Sequence, residues 1–164
     1  MAILALALAS CVEDSSRGDL VFVNGAEPET LDPSIITGQP EGRVVNALFE
    51  GLCAYDENGQ AVPGVAERWE VSPDGKTYSF YLRADAKWSD GSPLTAEDFV
   101  RSWQRTLTPS TGSQYNYQLY PIKNAQAFGE GKITDFSQVG VRAADPRTLG
   151  TVVDLLTADE LARR

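Results

Sequence analysis

Ala66-Glu67-Arg68-Trp69-Glu70-Val71-Ser72-Pro73-Asp74-Gly75-Lys76-Thr77-Tyr78-Ser79-Phe80-Tyr81-Leu82-Arg83 sets two runs of β-forming residues on either side of Ser72-Pro73-Asp74-Gly75. That tetrapeptide is a turn for stated reasons. Proline fixes its own φ, aspartate can accept from backbone amides nearby, and glycine tolerates a positive φ. Trp69-Glu70-Val71 is then one strand and Thr77 to Leu82 the next. Strand side chains alternate, so Tyr78, Phe80 and Leu82 share one face while Ser79 and Arg83 point the other way. The pattern predicts an antiparallel hairpin with Tyr78, Phe80 and Leu82 buried together. Trp69, Trp88 and Trp103 are read as core rather than as a ligand platform.

Working outward toward the N-terminus, Asn58-Gly59 is a tight-turn signal between Leu52-Cys53-Ala54 and Val62. A helix is expected from Glu41, with Pro40 in its first turn and Val44, Val45, Leu48, Phe49 and Leu52 on one buried face. Two prolines make Glu27 to Pro33 extended or turned. Leu20-Val21-Phe22-Val23 is a short β-type run that Asn24-Gly25 ends. Toward the C-terminus, Asp90-Gly91 is a further turn, and Thr95 caps a helix with Asp98 placed to complete a capping box. Phe99, Trp103 and Leu107 lie on one stripe of that helix, and Pro109 follows its end. Gln114 to Phe128 is Tyr-rich with helical character. Val139 to Ala143 and Thr148 to Val153 form a final hairpin around Asp145-Pro146. The fold class is α+β, with mostly antiparallel strands and flanking helices.

Composition removes whole classes of function. A chain of 164 residues with 42% hydrophobic content suits one ordinary core. A net charge of −9 is the wrong sign for a nucleic-acid surface or for electrostatic attachment to an anionic membrane. The sequence has no histidine, so a Ser-His-Asp or Cys-His catalyst cannot be assembled within it. Acidic neighbours such as Glu97-Asp98 and Asp159-Glu160 could suggest a carboxylate hydrolase, but adjacent helical residues do not face each other. The apolar run Ala2 to Ala9 is too short to span a bilayer, which takes about 20 residues. It reads as the apolar part of an export signal. Leu8-Ala9-Ser10-Cys11 resembles the lipobox of bacterial lipoproteins, which makes Cys11 the expected lipidated residue. Residues 12–19 are a polar linker. Cys53 then has no partner for a disulfide and is expected as a small core residue.

The opening run continues into Ala86-Lys87-Trp88-Ser89-Asp90-Gly91-Ser92-Pro93-Leu94-Thr95-Ala96-Glu97-Asp98-Phe99. Together they closely resemble the signature of the family 5 extracellular solute-binding proteins, which bind oligopeptides, dipeptides and nickel. Glu29-Thr30-Leu31-Asp32-Pro33, Leu48-Phe49-Glu50-Gly51-Leu52 and Pro63-Gly64-Val65-Ala66 look like further landmarks in family order. Ser102-Trp103-Gln104-Arg105 and Ser113-Gln114-Tyr115-Asn116-Tyr117-Gln118-Leu119-Tyr120 look most like the oligopeptide-binding branch.

The resemblance implies the N-terminal part of a periplasmic-binding-protein type II fold. It makes residues 20–149 the start of the large lobe plus a small additional domain. Residues 150–164 depart from the family pattern: Gly150 weakens the expected strand, and the charged end reads as the tail of a truncated or frame-shifted reading frame. The function implied is the non-enzymatic substrate-binding component of an ABC importer, or an inactive fragment of one, with no cofactor and no metal. Its partners would be an oligopeptide, the permease subunits, and a membrane reached through a lipid anchor at Cys11, in the periplasm or on the outer face of the cell membrane. By the same resemblance, Thr37-Gly38-Gln39 pairs with a peptide backbone as a strand would. Gly38 would allow close approach, and Tyr115 would stand on the cleft wall.

Overall fold

In the computed structural model, residues 22–153 are described. The lipobox at Cys11, the start of the Leu20 run and the chain from 154 onward lie outside them. Elements follow in the order α1 (Gln39–Leu48), β1 (Cys53–Tyr55), β2 (Ala61–Pro63), β3 (Ala66–Val71), β4 (Thr77–Leu82), α2 (Ala96–Leu107), α3 (Ala125–Gly129), β5 (Val141–Asp145) and β6 (Thr148–Val152). Short 3-10 turns occupy Pro109–Thr111, Asn116–Leu119 and Phe136–Gln138.

The sheet follows from the alternation in the hairpin. β3 and β4 pair antiparallel, with Trp69 opposite Phe80 and Val71 opposite Tyr78. The main sheet runs β3-β4-β6-β5, and β1 and β2 make a separate two-stranded ladder about Gly59. Leu82, Leu107 and Leu149 are the largest wholly buried side chains. They join one face of the sheet to α2, each contributing about 1.5–3 kcal/mol by leaving water. Phe80, Phe99 and Trp103 pack partly buried around them. α2 starts as expected: the Asp98 carboxylate accepts from the Thr95 amide at 2.8 Å and from its hydroxyl at 2.9 Å.

Several expectations are corrected. Phe22 and Val23 are exposed and belong to no strand. α1 forms, but only Val45 among the expected apolar face is buried, and Leu48 and Phe49 are exposed. Among the described residues, no helix or strand packs closely along it, so most of its apolar face stays exposed. Trp88 is 42% exposed, beside Leu48, Phe49 and Leu94, and is not core. Tyr78 and Phe80 are half-buried and stacked with centroids 6.4 Å apart, so only Leu82 of that face is fully inside. The Tyr-rich stretch has its helical character in two short pieces, Asn116–Leu119 and Ala125–Gly129, separated by Pro121 and by Asn124 at a φ of 60°. The strand expected from Thr148 forms through Gly150 as β6. β6 lies between β4 and β5, so Gly150 is paired to Ser79 on one side and Arg142 on the other, and its neighbours Leu149 and Thr151 are buried.

Candidate functional site

The loop before α1 carries little regular backbone pairing. The amides of Ile35 and Ile36 both donate to the Asp32 carbonyl, at 3.1 and 3.2 Å. Side chains do the rest. The Asp32 carboxylate accepts from the Ser34 amide at 3.0 Å and takes both arms of the Arg105 guanidinium, one of them at 2.7 Å. That fork-to-fork geometry is the strongest form of the pair. The guanidinium, helped by the Ser34 amide, holds the Asp32 carboxyl below its usual range. One residue on from Arg105, the Thr106 hydroxyl shares a hydrogen bond of 3.0 Å with the buried Ser34 hydroxyl. Residues 32–36 are thereby docked on the last turns of α2.

Between this loop, α2 and residues 113–119 lies a cavity of about 380 Å³. Its walls include Ile36, Thr37, Gly38, Ser102, Trp103, Thr106, Ser113, Tyr115 and Gln118. No lining side chain bears a formal charge, although the chain as a whole carries −9. The Tyr115 hydroxyl donates to the Thr37 carbonyl at 3.2 Å, and the edge of Tyr117 supports its ring at 6.0 Å between centroids. Thr37, Gly38 and Tyr115 therefore meet on one wall, across 78 positions of sequence between Thr37 and Tyr115.

Gln39 does not join them. The extended backbone stops at Gly38, whose φ and ψ are −97° and 161°, and Gln39 is the first residue of α1. Gly38 also has a reason of its own. A Cβ there would lie 2.1 Å from Oε2 of Glu41, because that carboxylate folds back over the start of the helix. Glu41 accepts from the Glu29 amide at 3.0 Å, and this bond above all lowers its pKa. The glycine admits an internal carboxylate.

A second fork lies away from the cavity. Arg83 donates to both carboxylate oxygens of Glu50 at 2.8 and 2.9 Å, and to the Gly64 carbonyl at 3.0 Å. Gly64 is needed there, since a Cβ would meet the Gly51 carbonyl at 2.6 Å. Both forks join sequence landmarks that looked unrelated. The signals were an acid in Leu-Asp-Pro with an arginine in Trp-Gln-Arg, and an acid in Phe-Glu-Gly with an arginine in Tyr-Leu-Arg, but nothing in local spacing pairs residues so far apart. Among the described residues, no group of three or more His, Cys, Asp or Glu is placed to hold a metal, and no helix is long and apolar enough to cross a membrane. Cys53 is half-buried and free, its thiol pushed up by burial.

Comparison with known proteins gives this geometry a context. The periplasmic oligopeptide-binding protein OppA of Escherichia coli is 48% identical over 139 residues, covering 82% of this chain and 25% of the relative. The periplasmic murein peptide-binding protein MppA of the same organism is 48% identical over 130 residues, covering 78% and 24%. Among solved structures, Haemophilus influenzae OppA in complex with the peptide RPPGFSPFR matches with a TM-score of 0.76 at 40% identity, over 85% of this chain and 27% of the other. This chain thus spans about a quarter of the length of the relatives it matches. The model of the bacterial extracellular solute-binding proteins, family 5 (middle region), matches residues 60–153, through the whole of the final strand. On that match and on these relatives, the chain belongs to the family 5 bacterial extracellular solute-binding proteins.

Proposed function

We propose that this chain supplies one wall of an oligopeptide-binding cleft in the receptor component of an ABC importer. The observation that carries the reading is the meeting of Thr37, Gly38 and Tyr115 over an uncharged cavity. Extended backbone at a cavity edge can pair with the main chain of a peptide, which gives affinity without reading side chains. Neutral walls suit the same task, because a fixed charge would select for or against charged peptides. Tyr115 adds an aromatic face with a polar tip. The names of the relatives, which are peptide-binding and periplasmic, support the ligand class and an exported location. The permease subunits are the implied partners, and Cys11 the anchor; fatty-acid labelling that persists in Cys11→Ala would remove the anchor from the account.

The test is a graft. Residues 22–153 replace the matching part of Escherichia coli OppA, and peptide binding is measured by calorimetry. The graft is expected to bind oligopeptides. Tyr115→Ala within it should weaken binding by about fivefold to tenfold, the scale of one net hydrogen bond. Unchanged affinity in Tyr115→Ala contradicts the assignment of this wall.

A further inference from the structure

The segment that forms the wall holds itself only at its head, where the Asp32 carboxylate accepts from the Ser34 amide. From Asp32 to Gly38 it belongs to neither helix nor strand, and its only internal backbone bonds are the pair that end on the Asp32 carbonyl. A peptide edge is useful only if it is already extended when the ligand arrives, because ordering it on binding subtracts from affinity. Something else must therefore fix it, and the contacts name what that is.

Arg105 stands in the last turn of α2, where a cation also meets the negative end of the helix. Its two arms grip Asp32 at the head of the segment. Thr106 follows it, and consecutive helical residues point in directions about 100° apart. The helix therefore reaches the segment at two separate places, Asp32 and Ser34. On the same helix, Ser102 and Trp103 line the cavity itself. One rigid element thus carries both the floor of the cavity and the grip on its rim.

We propose that Arg105 is a positioning residue that, through Asp32 and with Thr106 on Ser34, fixes residues 32–38 against α2 so that the wall of Thr37, Gly38 and Tyr115 is formed before any ligand arrives. This rests on the peptide-wall reading for its purpose, but the grip itself does not. Lysine cannot reproduce it fully, because an ammonium offers a point charge where the guanidinium offers a planar fork.

Amide hydrogen exchange of the full chain tests it without a ligand. In Arg105→Ala, the Ile35 and Ile36 amides should exchange about tenfold faster, while core sheet amides such as Leu82 and Leu149 keep their protection. Arg105→Lys should recover part of the lost protection. Arg83→Ala, which breaks the other fork, should leave Ile35 and Ile36 unchanged. Unaltered exchange at Ile35 and Ile36 in Arg105→Ala overturns the proposal, and so does equal acceleration across the sheet, which would mean a general loss of stability. A parallel titration with a tripeptide, followed by the Gly38 amide resonance, separates the two readings. If wild type shows no response, the peptide wall fails while the exchange data still judge the grip. If wild type responds and Arg105→Ala responds equally, the grip is irrelevant to the wall and the proposal fails.

Discussion

Asp32 and Arg105 stand 73 positions apart, and Glu50 and Arg83 stand 33 apart, yet each pair closes as a two-armed fork. Both carboxyls are held below their ordinary values of 3.8 and 4.5, chiefly by the arginine hydrogen bonds. A depressed carboxyl pKa in the folded state stabilises the fold above the unfolded value, and the contribution is lost as pH falls through the folded one. The forks therefore stabilise the chain at neutral pH, and their contribution begins to decline near pH 4 and is lost as the pH falls on through the lowered folded-state values. Both pairs are partly exposed, so the effect is modest. The double variant Asp32→Asn/Glu50→Gln should be less stable than wild type in urea at about pH 7, and the gap should narrow progressively as the pH is lowered below about 4. A gap that persists unchanged in acid would mean that the carboxylate charge is not what these residues contribute.

At the scale of elements, the hairpin was legible because alternation, turn chemistry and capping are all local rules. Gly75 and Gly91 take the positive φ their turns require, and Thr95 and Asp98 form the cap their spacing announced. Depth of burial was less legible. Phe80 is half-buried at the margin of the core, whereas Leu149, which no pattern singled out, is wholly enclosed between β4 and β5. Leu149→Ala should cost about 2–5 kcal/mol of unfolding free energy, and Phe80→Ala less than that. Denaturant unfolding of the two variants decides it, and a larger loss at Phe80 would reverse the ordering of the core. The apolar face of α1, a helix that forms as expected, failed in a different way. Its apolar spacing at Val44, Val45 and Leu48 is real, but spacing says only that a face exists, not what covers it. The same limit applies to the site. Thr37, Gly38 and Tyr115 could be named by resemblance, whereas the grip of Arg105 and Thr106 on the loop needed three-dimensional contacts to find.

For the whole molecule, proportion decides: this chain matches about a quarter of its relatives' length, and on the proposed reading it would offer a peptide one neutral wall. A net hydrogen bond contributes only about 1 kcal/mol in water. Immobilising a peptide costs at least several kcal/mol, so a few such bonds along one wall leave little surplus. The chain should therefore touch oligopeptides at the right place but weakly. The direct measurement is a nuclear magnetic resonance titration of the full chain with a tri- to pentapeptide pool. Perturbations should gather at Thr37, Gly38, Tyr115 and the cavity around them, without saturating below about millimolar peptide. Perturbations that gather elsewhere, or saturable micromolar binding that this wall does not explain, would contradict the account.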